Sequence, residues 1–206
     1  FISFFQKKNI GVALAFLLLF RLGEAQLVKL ASPFMLDSAE AGGLALETSS
    51  VGLIYGTIGV IALTLGGILG GVVISIKGLK FWLLPMTLAI NLPNLAYVYL
   101  SHAMPESMWL ISASVALEQF GYGFGFTAYV LYMIYFSEGP NKTSHYAICT
   151  GLMALGMMLP GMVSGWIQEQ IGYASFFIWV MICTIPGFLV IRFLRVNPTF
   201  GIKNTQ

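Results

Sequence analysis

The sequence predicts an all-α membrane protein, and three observations support this fold class. Of its 206 residues, 58% are hydrophobic and only 9% are charged. The mean hydropathy is +0.86. Soluble domains carry roughly 25% charged residues, so this chain has too few charges to cover a surface in contact with water. The third observation is a series of six long apolar stretches.

Each stretch is long enough to cross a membrane, because about 20 helical residues span the roughly 30 Å of hydrocarbon. The spans are predicted at residues 9–33, 51–76, 80–101, 107–136, 145–168 and 173–195. The segments between them are short and polar, such as SIKGLK, SHAMPES and SEGPNKTS. Residues 1–206 are therefore predicted to form one bundle of six transmembrane helices. The chain opens abruptly with FISFFQKKN, so we expect it to be the later part of a longer protein.

The charges of the connecting segments predict the orientation. If the N-terminus is cytoplasmic and the spans alternate, the inner segments hold eight basic residues: Lys7, Lys8, Lys77, Lys80, Lys142, Arg192, Arg195 and Lys203. The outer segments hold only acidic residues: Asp37, Glu40, Glu47, Glu106 and Glu169. Cytoplasmic segments of membrane proteins carry the excess of Lys and Arg, so both ends of this chain are predicted to be cytoplasmic.

The first span contains three charged residues in the stretch FRLGEAQLVKL. Counted from Asn9, Arg21 lies roughly 18 Å and Glu24 roughly 22 Å into the membrane. A charge at the membrane centre costs about 2.5–3.5 kcal/mol, and residues three apart share a helical face, so we expect these two to pair. Lys29, roughly 30 Å from Asn9, lies near the outer boundary. It is either only an anchor that reaches water or a functional charge like the other two.

The second span has glycines along one face, and the third has two polar side chains at mid-depth. The stretch GGILGG holds two overlapping Gly-x-x-x-Gly spacings, Gly66/Gly70 and Gly67/Gly71. Such spacings permit close helix contact, and packing is the favoured interpretation. In the third span, Asn91 and Asn94 lie on one helical face around Pro93.

The fourth span carries a second buried acid and a stripe of phenols. Counted from Ser107, Glu118 is roughly 16 Å deep. At about 100° per residue, one helical face collects five residues: Glu118, Tyr122, Gly125, Tyr129 and Tyr132. Tyr122 and Tyr129 are too deep for an interfacial aromatic belt. A phenol offers a flat face and a hydrogen-bonding tip, which suits a sugar-like ligand.

Two interpretations of the buried charges are open. Arg21 neutralises Glu24 and Glu118 and ties the helices together, or these residues form a polar pathway or proton site, which is the usual role of intramembrane ionisable groups. His102 and His145 lie at opposite membrane ends, so they do not share a metal ion. The sequence contains no nucleophile-elbow, phosphate-binding or zinc-protease motif, so we expect neither an enzyme nor a metal or organic cofactor.

The first, fourth, fifth and sixth spans each resemble a helix of one known protein family. The stretch LLFRLGEAQLVKLASPFML resembles the seventh helix of AmpG-type muropeptide permeases, and ALEQFGYGFGFTAYVLYMI resembles their tenth helix. The last two spans resemble the eleventh and twelfth helices at Tyr146-Ala147, Gly161, Gly165-Trp166, Gly172, Phe176-Phe177 and Pro186-Gly187. The resemblance covers essentially the whole chain, in order.

The chain departs from the family pattern at several positions. The family often has Lys and Asp where this chain has Arg21 and Glu24, and Gln where it has His145. The Asp-Arg pattern that is common after the second span in the wider superfamily is absent, and only Lys77 and Lys80 are present there.

The resemblance implies the C-terminal six-helix half of a major facilitator fold, built from a three-plus-three inverted repeat, with the N-terminal half absent from this chain. It implies proton-coupled import of muropeptides, N-acetylglucosaminyl-anhydro-N-acetylmuramic acid with or without stem peptide, across a bacterial inner membrane. The proton is the coupling ion, and the partners are the bilayer and either the missing half or a second chain. Arg21 would meet a substrate carboxylate or hold Glu24, and Glu24 and Glu118 would be proton sites. The substrate and proton pathway is predicted to comprise Arg21, Glu24, Glu118, Tyr122, Tyr129, Tyr132, Asn91 and Asn94.

Two alternatives remain. The chain belongs to a carrier of another solute, such as acetyl-coenzyme A, a sugar or a peptide, or it is a six-helix scaffold subunit that transports nothing.

Overall fold

The computed structural model describes residues 2–203 of the chain. It is 83% helical, and the described part contains no strand, which confirms the all-α class. The described residues form eight α-helices: α1 (Ile2–Phe5), α2 (Ile10–Leu19), α3 (Leu22–Leu36), α4 (Thr48–Leu53), α5 (Val60–Asn91), α6 (Leu95–Ala103), α7 (Met108–Ser137) and α8 (Lys142–Ile191). A π-helix at Ile54–Gly59 joins α4 to α5, and a 3-10 turn at Leu92–Asn94 joins α5 to α6.

Three segments of the described chain are long and apolar enough to cross a membrane: Ile10–Leu36, Thr48–Ala103 and Lys142–Ile191. Large apolar side chains are exposed along the bundle surface, among them Ile68 at 61% and Met162 at 76%. A surface with many exposed large apolar side chains is suited to contact with lipid hydrocarbon and not with water. The chain is therefore an all-α membrane protein.

Helix α5 folds back on itself at Gly78, whose φ of 78° is open to glycine but strained for other residues. The two legs, 60–77 and 79–91, both pack along α7 but in opposite directions. Along the first leg, Gly66 lies beside Phe120 and Gly70 beside Phe124, so this leg runs in the same direction as α7. Along the second leg, Met86 lies beside Gly125 and Ala89 beside Gly121, so this leg runs in the opposite direction. The reversal lies in the stretch SIKGLK, between the predicted second and third spans.

Helix α8 reverses in the same way at Gly172, where φ is 72°. Its first leg approaches the first-span helices with Gly156 beside Leu18 and Gly161 beside Lys29. Its second leg runs back along the bundle from the C-terminal end of α3, where the Tyr173 hydroxyl donates a hydrogen bond to Asp37. Both legs therefore cover α2 and α3.

The buried apolar residues form two separate clusters. The Phe16 cluster includes Phe16, Phe20, Ile90, Phe124, Tyr129 and Tyr132. The Phe34 cluster includes Leu27, Phe34, Tyr97, Val115, Phe177 and Val180. Every long segment contributes to both clusters, so each cluster occupies one half of the bundle's length.

A layer of buried polar residues separates the two clusters. Between Phe20 and Leu27 lie Arg21, Glu24 and Gln26; between Ile90 and Tyr97 lie Asn91 and Asn94; and between Val115 and Phe124 lies Glu118. We call Arg21, Glu24, Gln26, Asn91, Asn94 and Glu118 the polar layer. All six are buried. Sequence analysis expected five of the six at mid-depth, which agrees with their place between the clusters; Gln26 was not among them.

Glycines bring α5 and α7 into backbone contact. A Cβ on Gly66 would overlap the carbonyl of Phe120, and one on Gly70 would lie 2.8 Å from the Thr127 hydroxyl. Gly71 has no atom within 4 Å of such a Cβ. The Gly66/Gly70 spacing therefore makes the contact predicted for both spacings, while Gly71 faces away from α7.

The basic segments gather at one end of the bundle. Lys7 Nζ donates to the backbone carbonyls of Phe136 and Glu138. The C-terminal tail returns to the reversal in α5, where Leu79 N donates to Phe200 O at 2.9 Å. The segments predicted to be cytoplasmic therefore share one end, and which side of the membrane that end faces stays a prediction.

Candidate functional site

The first predicted span is broken at the buried charges. Helix α2 ends at Leu19 and α3 begins at Leu22, and Arg21 adopts φ −105° and ψ 16° between them. The break frees the carbonyl of Leu17, which accepts a hydrogen bond from the Tyr129 hydroxyl at 2.6 Å. Breaks of this kind occur inside membranes only where neighbouring groups satisfy the freed backbone. Sequence analysis did not predict the break, since no proline lies near residues 20–21.

Arg21 is held by an acid, a phenol and two aromatic faces. Its Nε donates to Glu24 Oε2 at 2.9 Å, and its Nη2 lies 2.8 Å from the same oxygen. Nη2 also donates to the Tyr122 hydroxyl at 2.7 Å. The guanidinium carbon lies 4.7 Å from the ring centroid of Phe126 and 5.1 Å from that of Tyr122. Arg21 and Glu24 are each 3% exposed, so the pair is shielded from solvent on the described surface.

Glu118 lies in the same layer with a different partner. Gln119 Nε2 donates to Glu118 Oε2 at 3.0 Å, and among the described residues no ion pair joins Glu118 to Arg21. Two buried carboxyl groups, one paired with a cation and one with an amide, therefore lie in the same polar layer.

Tyr129 and Tyr132 belong to the Phe16 cluster and not to the polar layer. The ring of Tyr129 stacks on Phe20, with centroids 5.4 Å apart, and Tyr132 packs edge-on against Phe16 at 4.6 Å. Tyr129 is completely buried, and its hydroxyl is committed to the break in the first span. Their predicted place on a solute pathway stays a prediction, and the structure adds a packing role.

The two asparagines differ in how their amides are satisfied. Asn91 Nδ2 donates to the carbonyl of Thr87 at 2.8 Å. Asn94, in the 3-10 turn, is 1% exposed, and neither its amide nitrogen nor its oxygen has a hydrogen-bond partner among the described residues. A buried amide without partners costs about 1–3 kcal/mol, so Asn94 is the side chain of the layer best placed to accept a further hydrogen-bonding group.

Lys29 is the third charge of the first span, and it is exposed. Helix α3 continues to Leu36, so Lys29 lies seven residues, about 10 Å, inside its end. The side chain runs along Gly161 of α8: a Cβ there would lie 3.1 Å from the Lys29 Cε. Among the described residues, Lys29 has no ion-pair partner, in contrast to Arg21.

Sequence reasoning missed two polar contacts that border the layer. The Tyr55 and Tyr97 hydroxyls form a short hydrogen bond between the π-helix and α6. Trp179 Nε1 donates to Gln26 Oε1 at 2.9 Å and ties α8 to α3. Tyr55 and Tyr97 are 42 residues apart, and no spacing along the chain indicates that they meet.

The polar layer gathers groups that can bind protons and anions. Within residues 2–203, no group of His, Cys, Asp or Glu side chains could hold a metal ion. The polar layer supplies two carboxyl groups, one cation and three amides, and the Tyr122 hydroxyl borders it at Arg21. Carboxyl groups at mid-membrane gain or lose protons as their surroundings change, which is the chemistry of proton-driven carriers.

Curated proteins similar to this chain cover nearly all of it. An anhydromuropeptide permease of Escherichia coli (strain K12) is 24% identical over 205 residues, which is 96% of this chain and 40% of the permease. Two proteins named AmpG are similar to the same extent. AmpG 1 of Rickettsia prowazekii (strain Madrid E) is 24% identical over 94% of the chain and 44% of its own length. AmpG 4 of Rickettsia felis (strain ATCC VR-1525 / URRWXCal2) is 26% identical over 95% and 45%.

The resemblance predicted from the residues is thereby confirmed: curated homologues over 96% of the chain carry AmpG and anhydromuropeptide permease names. The chain spans about two fifths of the length of these relatives. No known family model matches it.

Proposed function

We propose that this chain is one half of a proton-coupled carrier that imports anhydromuropeptides across a bacterial inner membrane. The observation that carries the proposal is the similarity to an anhydromuropeptide permease over 96% of the chain. The buried charges support it, because a structural helix bundle gains little from placing Arg21, Glu24 and Glu118 at mid-depth, where each charge is costly.

The fold supports the same proposal. The reversals at Gly78 and Gly172 divide the described chain into six long legs: Ile10–Leu36, 48–77, 79–103, Met108–Ser137, 142–171 and 173–191. We infer that these legs are six transmembrane helices in a three-plus-three repeat, as in half of a major facilitator protein. Glu24 then lies in the first helix of one triplet and Glu118 in the first helix of the other.

A second six-helix half would complete the transport cavity. Cavities of major facilitator proteins lie between two halves, and this chain spans about two fifths of its relatives' length. We infer that an N-terminal half or a second chain faces the free sides of α3 and α7. Both ends of this chain would be cytoplasmic, as its basic residues predict.

The polar layer would serve as the coupling site. Arg21 already has Glu24 as its partner, so a substrate carboxylate that approaches Arg21 competes with Glu24. Protonation of Glu24 would release Arg21 to the substrate. Proton and substrate binding would then depend on each other, which is what coupled transport requires.

The test is uptake of labelled anhydromuropeptide into proteoliposomes that contain the protein with the half or partner that completes it. An imposed proton gradient should accelerate uptake, and Glu24→Gln and Glu118→Gln should abolish this acceleration. If both variants keep gradient-driven uptake, the coupling role is wrong. If acetyl-coenzyme A, a sugar or a peptide is taken up in place of muropeptide, the substrate is wrong; if nothing is taken up, the scaffold alternative is favoured.

A further inference from the structure

A pair of phenols lies between Glu118 and one end of the bundle. Tyr55, in the π-helix, and Tyr97, in α6, share a hydrogen bond through their hydroxyl groups. Tyr97 is completely buried and Tyr55 is partly buried. π-helical turns recur at functional sites because the extra residue re-aims nearby side chains. Here the π-helix places Tyr55 opposite Tyr97.

The depth of each group sets the order along the bundle. Tyr55 lies seven residues after the start of α4 and Tyr97 six residues before the end of α6, so each is about 10 Å from that end. Glu118 lies ten residues after the start of α7, about 15 Å deep. Glu24, twelve residues before the end of α3, is about 18 Å deep. Going inward from this end of the bundle, the phenol pair comes first, Glu118 second and Glu24 third.

The phenol pair and Glu118 belong to one contiguous region. A Cβ on Gly59, the last residue of the π-helix, would lie 3.3 Å from the Cγ of Gln119. Gln119 in turn holds the Glu118 carboxyl group. A Cβ on Gly59 would also lie 3.8 Å from the Cγ1 of Val115, which precedes Glu118 by three residues in α7.

Asn94 extends the polar row alongside the pair. It lies three residues before Tyr97, so both side chains point to the same side of their segment. Its amide nitrogen and oxygen are both buried without hydrogen-bond partners among the described residues. Buried polar groups in proteins normally bond to protein or water, so the region between Tyr97 and Glu118 suits a hydrogen-bonded chain.

We propose that Tyr55 and Tyr97 form a proton relay that delivers protons to Glu118 from the end of the bundle at which residues 37–47 and 104–107 connect the helices. Each hydroxyl gives its proton to the next acceptor and takes one from the donor before it. Both phenols end as they began, and one proton has moved to the Glu118 carboxylate, which becomes a neutral carboxyl group. The relay rests on the proposed function, because it supplies the proton that drives uptake.

The relay also gives the two carboxyl groups of the polar layer different roles. A proton that reaches Glu118 removes a negative charge from the layer that also holds Glu24. The Arg21–Glu24 pair then responds to the proton without contact between Arg21 and Glu118. The phenol pair thus acts upstream of the ion pair.

The test compares Tyr55→Phe and Tyr97→Phe with Tyr99→Phe, which removes an exposed phenol from the same helix α6. Two rates are measured in proteoliposomes. The first is muropeptide uptake driven by a proton gradient, with a pH-sensitive dye inside the vesicles that reports proton entry. The second is exchange of labelled for unlabelled muropeptide without a gradient. We expect the relay variants to lose gradient-driven uptake and proton entry by about tenfold or more, since positioned proton-transfer groups contribute about 10²–10⁴-fold. Exchange should stay within about twofold, and Tyr99→Phe should match the unchanged protein.

Several results would overturn the relay. If either phenylalanine variant keeps full proton entry, protons reach Glu118 by another route. If uptake and exchange fall together while the amount of folded protein stays the same, the phenols only stabilise the packing of the helices. The proposed function fails in a distinguishable way: the unchanged protein then takes up muropeptide without proton entry, or takes up none.

Discussion

Replacing Arg21 with methionine should strongly destabilise the protein. The change leaves the Glu24 carboxylate, which is 3% exposed, without a cation, and leaves the Tyr122 hydroxyl without its donor. Removing one partner of a buried ion pair costs about 3–5 kcal/mol of unfolding free energy. For a protein of this size, about 2–4 °C of transition temperature corresponds to each kcal/mol, so we expect a decrease of about 6–20 °C.

The double variant Arg21→Met with Glu24→Gln isolates the pair. It removes both charges, so it should cost less than the sum of the single changes, with an interaction energy of about 1–3 kcal/mol. The measurement is denaturant unfolding in detergent micelles, followed by the fluorescence of the chain's four tryptophans. Lys29→Met is the matched control, because it removes an exposed cation from the same helix and should cost little.

Additive losses of unfolding free energy in the double variant would refute this reasoning. If the double variant loses as much stability as the two single variants together, within about 0.5 kcal/mol, the pair contributes no coupling. The contact at 2.8 Å would then be incidental, and the buried charges would need another explanation.

Three further outcomes follow from individual contacts. Gly66→Ala should lower the unfolding free energy by about 1–3 kcal/mol, since its Cβ overlaps backbone of α7, while Gly71→Ala should change it little in the same unfolding assay. Tyr129→Phe should lower it by about 0.6–2 kcal/mol, the range for membrane hydrogen bonds, whereas Tyr99→Phe should not. Lys29 is exposed and has no ion-pair partner among the described residues, so we expect it to attract substrate carboxylates. Lys29→Gln should then raise the KM for carboxylate-bearing muropeptides by up to about fivefold and leave it unchanged for amidated ones; an equal rise for both would contradict a charge contact.

The sequence was sufficient to predict the all-α class and five of the six residues of the polar layer; Gln26 was not among the candidates. Charges and amides inside apolar runs are visible without a structure, and counting 1.5 Å per residue assigned Arg21, Glu24 and Glu118 to similar depths. The pairing of Arg21 with Glu24 also followed from their spacing of three residues.

The details that depend on contacts between distant segments were not predictable. The break at Arg21 has no proline near it, and Gly23 alone does not predict it; Tyr129 of α7 satisfies the freed carbonyl of Leu17. The π-helix and the Tyr55–Tyr97 bond arise from packing against α7 and α6. Likewise, the pattern Gly-x-x-x-Gly occurs twice, and only the neighbouring helix decides that Gly66 and not Gly71 makes the contact.

The spacing of Arg21 and Glu24 also matters for how the protein is made. The two side chains are three residues apart, so a single helical turn neutralises them while the nascent chain is still being inserted. The Tyr122 hydroxyl, 101 residues from Arg21, arrives only after the helices between α3 and α7 have been synthesised. The translocon therefore meets the first span as a locally compensated segment, and its entry into the bilayer does not wait for the helix that later completes the site.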